Sequence, residues 1–183
     1  MKFTISSAAA LLSLASSALA AQQSRPFYLV AVSHFAAINN TAFVACHEGA
    51  AIEGFCVGQK IPKTKAEAAT YRLNNTKQNP DEGLLSYQLV GNKFKVWEPM
   101  SLSHDVATNV AIPLFMPSDE GQQVGFDEHG LMYMKTYIND MVNPPHAVKP
   151  KKLYRWYTCT TLYSSYEYHT LAWVTGKSPP EVS

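Results

Sequence analysis

Short segments in which apolar and polar residues alternate, or in which apolar residues run uninterrupted, recur along most of this chain. They are rich in β-branched and aromatic residues, which favour strands over helices. Nine such segments are predicted as strands: residues 27–33, 41–46, 84–90, 93–97, 109–115, 123–126, 131–138, 153–163 and 166–174. Turn-forming residues lie between most of them. Gly91–Asn92 and residues 127–130 are short enough to join neighbouring strands as hairpins.

One segment has a helical composition. Residues 63–71 follow Pro62 and consist of good helix formers, although the segment is short for a helix that must be stable alone. With so little helix, the sequence predicts an all-β, antiparallel fold: a compact β-sandwich, with a β-trefoil-like barrel as the alternative. No internal repeat is evident, which favours the sandwich.

The first twenty residues have the features of a secretory signal peptide. Lys2 supplies the positive start, residues 8–15 form a short apolar run, and Ala18-Leu19-Ala20 is a small-residue cleavage signal. Serines interrupt the apolar part, which is shorter than the ~20 residues of a membrane span. We therefore predict cleavage after Ala20 and a single mature domain over residues 21–183, soluble and secreted to the cell exterior or cell wall.

The charge of the chain is nearly balanced, because fifteen basic and fourteen acidic residues give a formal net charge of +1. Long-range attraction to nucleic acid or to an anionic membrane is therefore weak, and we expect neither as a partner. The local positive excess at residues 149–155 is predicted as a solvated loop leading into a strand, with contact to phosphate or an anionic glycan as the alternative. Two glycosylation sequons, at Asn39 and Asn74, fall in stretches predicted as loops.

Two cysteines ten positions apart, Cys46 and Cys56, are predicted to form a disulfide in an oxidising compartment. Such a bridge stabilises a fold by on the order of 2 to 3 kcal/mol. Gly49 and Gly54 lie between them and permit the positive φ values that a chain reversal needs. The sequence therefore predicts a stapled hairpin.

His47, Glu48 and Glu53 lie inside this hairpin and raise the question of a metal or acid-base site. A helical zinc-protease motif needs a second histidine four residues after the first, and Ala51 stands there. Two glutamates five residues apart in a loop have no defined geometry for catalysis. We interpret these side chains as part of a contact surface, and we predict no metal, cofactor or catalytic residue.

Cys159 is the third cysteine and has no partner within the sequence pattern. A free thiol, an intermolecular disulfide and a missing partner are all open for it. We favour burial as a small apolar residue on a strand.

Aromatic residues are dense in the last predicted hairpin. Trp156, Tyr163, Tyr166 and Trp173 could form a platform that stacks on sugar rings, or they could fill the core, since alternate strand positions must face inward. We favour the core, with Tyr163 and Tyr166 as the most exposed of the four because they flank the turn.

Four segments together resemble a family of small secreted ascomycete proteins without assigned activity: "FYLVAVS" (27–33), "ACHEGAAIEGFC" (45–56), "NVAIPLF" (109–115) and "RWYTCTTLYSSYEYHTLAWVTG" (155–176). The start of the mature chain is also loosely similar to fungal cell-wall proteins of the phialide type. Some relatives are described only as hypothetical or IgE-binding proteins. The resemblance implies a secreted fungal protein in which the cysteine hairpin and the terminal aromatic hairpin are the specific features.

Relatives in that family continue past the proline-rich turn into a further strand with a fourth cysteine, whereas this chain ends at "SPPEVS". The resemblance thus implies that Cys159 lacks its partner and that a strand edge is open, or that the gene model is shortened. We expect a monomer that could associate through Cys159 or through such an edge.

Three classes of function remain for this chain. The sequence favours a noncatalytic secreted protein of a cell wall, a surface or a host interaction, with a cell-wall glycan or an extracellular protein as its partner. A carbohydrate-binding module that uses the aromatic hairpin is the first alternative. A glycoside hydrolase that uses a carboxylate pair is the second, because two carboxylates at a suitable separation are all that such chemistry requires.

Overall fold

The computed structural model describes residues 21–60 and 69–178, and these residues form twelve strands and no helix. The strands are β1 (Ala21–Gln23), β2 (Thr41–Gly49), β3 (Ile52–Lys60), β4 (Tyr71–Thr76), β5 (Glu82–Val90), β6 (Lys95–His104), β7 (Val110–Phe115), β8 (Gln123–Phe126), β9 (Met132–Asn139), β10 (His146–Leu153), β11 (Trp156–Tyr163) and β12 (Tyr166–Val174). Every pairing between them is antiparallel. The predicted all-β, antiparallel class is confirmed.

The strands form two sheets that share β6. In the first sheet, β5 pairs with β4 on one side and with β6 and β8 on the other; β1 lies beyond β4, and β9 and β10 lie beyond β8. In the second sheet, β7 pairs with β6 on one side and with β3 and β12 on the other, flanked by β2 and β11. Residues 95–99 of β6 pair with β5, and residues 100–104 pair with β7. The described strand order runs open from β10 to β2.

Aromatic side chains fill the space between the two sheets. Phe55 on β3 and Phe115 on β7 belong to the second sheet, and Tyr71 on β4 and Tyr87 on β5 belong to the first. The Tyr71 ring lies 5.1 Å from the Phe55 ring and 5.5 Å from the Phe115 ring, and Tyr87 lies 5.8 Å from Phe115. Contacts of this kind stabilise a core beyond the burial of their area. The two sheets therefore pack face to face, as a β-sandwich requires.

The hairpin of β2 and β3 carries the predicted disulfide between Cys46 and Cys56, whose Cα atoms lie 5.8 Å apart. The turn lies at residues 50–51, where Ala51 has a φ of 52°. Gly54 has no part in the reversal, contrary to the prediction. It is buried inside β3, where an added Cβ would lie 2.5 Å from Oε1 of Glu48 and 2.9 Å from Sγ of Cys46. A glycine is thus needed at position 54 because any larger residue would collide with the side chains of Glu48 and Cys46.

Some strand bounds shift by a few residues, and two predicted segments differ from the structure in kind. Residues 27–33 do not form a regular strand, because Phe27 pairs with Tyr71 of β4 whereas Leu29 and Ala31 bond to β2. Residues 149–152, predicted as a loop that leads into a strand, already belong to strand β10, which pairs with β9 at the edge of the first sheet. Lysine and proline are both tolerated on an edge strand, so composition alone misled the prediction.

The predicted signal peptide and most of the helix predicted at residues 63–71 lie outside the described residues, and Tyr71 begins β4. Across residues 21–60 and 69–178 we find no helix with the length and apolar character to cross a membrane.

Candidate functional site

Three glutamates lie near one another close to the turn of the β2–β3 hairpin. Glu48 on β2 is 1% exposed, Glu98 on β6 is 0% exposed, and the side chain of Glu53 on β3 is 13% exposed. Glu53 is close enough to raise the pKa of both Glu48 and Glu98 by electrostatic repulsion. Glu98 also stands directly opposite Tyr87 in the pairing of β5 and β6. We call Glu48, Glu53 and Glu98 the glutamate cluster.

A β-bulge places Glu48 in the cluster. The pairing of β2 with β3 passes from His47 opposite Glu53 to Gly49 opposite Ile52, so Glu48 is the extra residue. Bulges of this kind redirect a side chain, and here it lies over Gly54, the one residue type that leaves room for it. The sequence interpretation treated this segment as a loop and did not connect it to Glu98, which lies far away along the chain.

Two of the three carboxyl groups, those of Glu48 and Glu98, have oxygens without the partners that buried carboxylates need. Burial, followed by the charge of Glu53, raises the pKa of Glu98 to about 7. Burial also raises the pKa of Glu48 and of Glu53, and His47 opposes the rise at both. Neither oxygen of Glu98 nor Oε2 of Glu48 has a hydrogen-bond partner among the described residues, and the same holds for the hydroxyl of Tyr71. Burial therefore favours the protonated form of all three carboxyl groups, and His47 opposes this at Glu48 and Glu53.

His47 connects the cluster to the surface. Its Nδ1 lies 3.7 Å from Oε1 of Glu53, and its side chain is 56% exposed. The imidazole ring packs edge-on against Tyr166 at a centroid distance of 5.4 Å. The Tyr166 ring is in turn nearly parallel to Tyr168, with 6.3 Å between centroids and 6° between planes.

The tyrosines share one face of the β11–β12 hairpin. Tyr163 is paired with Tyr166, and Thr161 with Tyr168, and directly opposite residues in an antiparallel pair point to the same side. All three tyrosines are half-buried. We call Tyr163, Tyr166 and Tyr168, together with His47, the tyrosine face. The sequence interpretation included Tyr163 and Tyr166 and missed Tyr168, although its spacing of two from Tyr166 was the available signal.

The two tryptophans of the hairpin lie on its other face. Trp156 is paired with Trp173, their rings meet edge to face at 4.7 Å, and Nε1 of Trp156 donates a hydrogen bond to the carbonyl oxygen of Met132. Trp173 is only 6% exposed. A single exposed platform of Trp156, Tyr163, Tyr166 and Trp173 is therefore excluded by the strand register, which separates the tryptophans from the tyrosines.

Cys159 is a free, half-buried cysteine on the same side of β11 as the tyrosines. Burial raises the pKa of its thiol, which lowers the fraction of reactive thiolate. Within residues 21–60 and 69–178, β11 pairs with β12 alone, so its outer edge is open. Association through Cys159 or this edge stays a prediction.

The two sequon asparagines have different surroundings. Asn39 lies in a turn, as predicted, and its Oδ1 accepts a hydrogen bond from the backbone amide of Ser33. Asn74 lies in β4, so its placement in a loop was wrong. Its Nδ2 donates to Oγ of Ser86 and its Oδ1 accepts from Nε2 of Gln23, each at 3.0 Å.

Two cavities lie away from the glutamate cluster. One, of about 210 Å³, lies between β6, β9 and β12, and the other, of about 390 Å³, is lined mainly by apolar residues of the segment 27–32. Neither is lined by Glu48, Glu53 or Glu98. In the part of the chain that the structure describes, no group of three or more His, Cys, Asp or Glu side chains is arranged to hold a metal ion.

Comparison with known proteins gives one match. A family model described as a domain of unknown function (DUF7907) matches residues 24–183. No curated protein and no solved structure matches the chain. The function must therefore be sought in the geometry of the chain itself.

Proposed function

The chain belongs to the DUF7907 family, and we propose that it is a noncatalytic, secreted component of a cell wall or of a host-contact surface. The disulfide between Cys46 and Cys56 is compatible with an extracellular protein, because such crosslinks persist in oxidising compartments. The leader-like first twenty residues support the same compartment. A protein of this kind acts by binding, so the question becomes which surface it uses.

We propose the tyrosine face as that surface, with carbohydrate as its ligand. The observation that carries the proposal is the nearly parallel pair of Tyr166 and Tyr168, with only 6° between their planes and His47 against one end. Aromatic rings held by a strand lose little entropy on binding and offer apolar faces to the C–H groups of a sugar. The tyrosine hydroxyls and the imidazole supply hydrogen-bond partners for the sugar hydroxyls.

Acid-base chemistry on a glycan is the second candidate, because the environments of Glu53 and Glu98 differ. Burial raises the pKa of Glu98 to about 7 and also raises the pKa of Glu53, where the neighbouring His47 opposes the rise. Two carboxyl groups in different environments, one beside a histidine and one without a hydrogen-bond partner, are the usual starting point for a general acid and a base. Glu98 is fully buried, however, and neither described cavity reaches it, so a substrate would first have to open the core.

Retention on insoluble polysaccharides tests the proposal. The secreted protein is incubated with chitin, β-1,3-glucan, mannan and cellulose, and the bound fraction is measured. We expect retention on at least one of them, and we expect Tyr166→Ala with Tyr168→Ala to weaken it at least tenfold. Tyr137→Ala on β9 is the matched control, because Tyr137 is an exposed tyrosine, 61% accessible, outside the tyrosine face.

Two results would contradict the proposal. Absence of retention on all four polysaccharides would remove the carbohydrate ligand, and equal retention of the double variant would remove the tyrosine face. Release of reducing ends by the wild type, abolished by Glu98→Gln, would instead establish the catalytic candidate.

A further inference from the structure

We infer that the cavity of about 210 Å³ beside Trp173 binds a single neutral sugar ring, at a site separate from the tyrosine face. This inference goes beyond the proposed function, because it concerns a different surface and a soluble ligand. The cavity is lined by Trp173 of β12 and by polar side chains that include His104, Gln122, Thr136, Asp140 and Arg155.

The size of the cavity suits one ring. A volume of about 210 Å³ corresponds to about seven water molecules. Pockets for drug-sized ligands are larger, at ≈ 300–1,000 Å³. The lining comes from both sheets, since His104 ends β6 on the side of the second sheet whereas Thr136 lies on β9 of the first.

The charged groups of the wall are already paired. Both terminal nitrogens of Arg155 donate to Asp140 at 2.6 Å, and the backbone amide of Gly176 donates to the same carboxylate at 2.7 Å. Lys135, the other cation of the lining, lies 2.6 Å from Glu82. A charged ligand would have to compete with these partners, so the wall favours a neutral one.

Hydrogen-bonding capacity nevertheless remains in the wall. Arg155 has five N–H groups and gives two to Asp140, and a carboxylate with about four acceptor sites receives three bonds here. The Nε2 of Gln122 donates to the carbonyl oxygen of Gln123, which leaves its Oε1 as an acceptor. The fixed, planar guanidinium–carboxylate pair thus offers donors and acceptors side by side, as neighbouring hydroxyl groups on a ring require.

The apolar part of the lining complements the other surface of a sugar. Trp173, Met134 and Leu153 contribute apolar atoms next to these polar groups. A pyranose ring has C–H groups on its faces and hydroxyl groups on its rim, so it can use both kinds of surface at once. Since Trp173 and the tyrosines point to opposite faces of the β11–β12 hairpin, the two sites cannot share one ligand.

The indole N–H signals of the three tryptophans in a ¹⁵N-labelled sample test the inference. The full secreted chain is titrated with the methyl glycosides of glucose, galactose, mannose and N-acetylglucosamine, and in parallel with glucuronate and inorganic phosphate. We expect a saturable shift of the Trp173 signal with at least one neutral glycoside, in the millimolar range. The Trp97 signal, outside the cavity lining, should not move.

Two variants locate the binding. Gln122→Ala and His104→Ala each remove one polar group of the lining, and each should weaken binding about fivefold, the value of one hydrogen bond. Gln59→Ala, at an exposed position of β3, is the matched control. Tyr166→Ala with Tyr168→Ala should leave this titration unchanged, so failure of one proposal does not decide the other.

Three results would overturn the inference. They are a Trp173 signal that does not respond to any neutral glycoside, a response confined to glucuronate or phosphate, and a response that survives unchanged in both lining variants. The second would identify an anion site in its place.

Discussion

Glu98 and Asp140 hold their carboxyl groups in opposite environments. Glu98 is fully buried with no hydrogen-bond partner among the described residues, and its pKa is raised to about 7. Asp140 accepts hydrogen bonds from Arg155 and from the amide of Gly176, which lower its pKa to about 2 although burial acts in the other direction. Burial thus has the same sign at both sites, and the number of donors decides the outcome.

The comparison of Glu98 with Asp140 shows that a buried carboxyl group can either lower or raise the stability of the fold. A buried carboxyl without donors destabilises the fold once it is ionised, and clusters of such groups are common at functional sites. A carboxylate held by a guanidinium and a backbone amide is orientated and ionised throughout the physiological range. The first arrangement makes the glutamate cluster responsive to pH, and the second makes the wall of the cavity rigid.

The largest expected effect concerns Glu98. It stays protonated up to about pH 7 in the folded chain but ionises near its ordinary value of 4.5 when unfolded, so the folded state binds more protons between these values. The free energy of unfolding should therefore fall by roughly 3 kcal/mol as the pH rises through this window. Glu98→Gln should remove that fall and be more stable than the wild type at pH 8. Urea unfolding at pH 4 to 8 measures it.

Glu128→Gln is the matched control for this prediction, because the Glu128 side chain is 77% exposed. Its stability should follow the wild-type pH profile. Parallel profiles for wild type and Glu98→Gln would show that Glu98 is not protonated near neutral pH.

The next effect concerns the paired carboxylate. Arg155→Met keeps the apolar stem of the side chain but leaves Asp140 with the backbone amide of Gly176 as a donor. The Arg155–Asp140 pair is only partly buried, because 16% of the Arg155 side chain and 32% of the Asp140 side chain are exposed. We expect a loss of about 2 kcal/mol at neutral pH, below the 3–5 kcal/mol of a fully buried pair. Thermal and urea unfolding measure the loss.

The loss of stability at acid pH gives a second measurement for Arg155→Met. Asp140 contributes stability above its ordinary pKa of 3.8, and that contribution disappears as the pH falls towards about 2. Arg155→Met should lose less stability over this range than the wild type does. Arg25→Met, at an exposed position, is the control. If Arg155→Met and the wild type lost the same stability at acid pH, Arg155 would not be the group that lowers the pKa of Asp140.

The smallest effect is expected at His47. Its charge opposes the rise in the pKa of Glu53, so His47→Gln should raise that pKa further. His47 is more than half exposed, so the change in stability should stay within about 0.5 kcal/mol. Carboxyl ¹³C shifts followed through a pH titration report Glu53 directly, with His169→Gln on β12 as control. An unchanged titration of Glu53 would show that the two side chains do not interact.

Local pattern was enough to predict several elements of this fold. Residues 123–126 and 166–174 are strands with the predicted bounds, because each has a strong alternating or apolar pattern between clear turns. The disulfide followed from spacing and compartment. Residues 27–33 have the same kind of pattern but change partner from β4 to β2, and β10 is a strand only because β9 lies beside it. Neither event leaves a local signal.

The candidate sites were less predictable for the same reason. Glu48 and Glu53 were noticed as residues, but the bulge that turns Glu48 inward and the packing that brings Glu98 to them are properties of the paired strands. Likewise, the pairing of Asp140 with Arg155 depends on how the end of β9 meets the start of β11.

The sequence by itself determined which side chains of a strand share a face, since alternation is a property of the extended backbone. Alternation alone puts Trp156 and Thr158 on one face of their strand and Tyr157 and Cys159 on the other. Only the tertiary structure decided how deeply each face is buried: Trp173 is 6% exposed, whereas Tyr163, Tyr166 and Tyr168 are half-buried. The choice depends on the total burial available to the whole sheet, and burial is set by contacts between segments that are far apart along the chain.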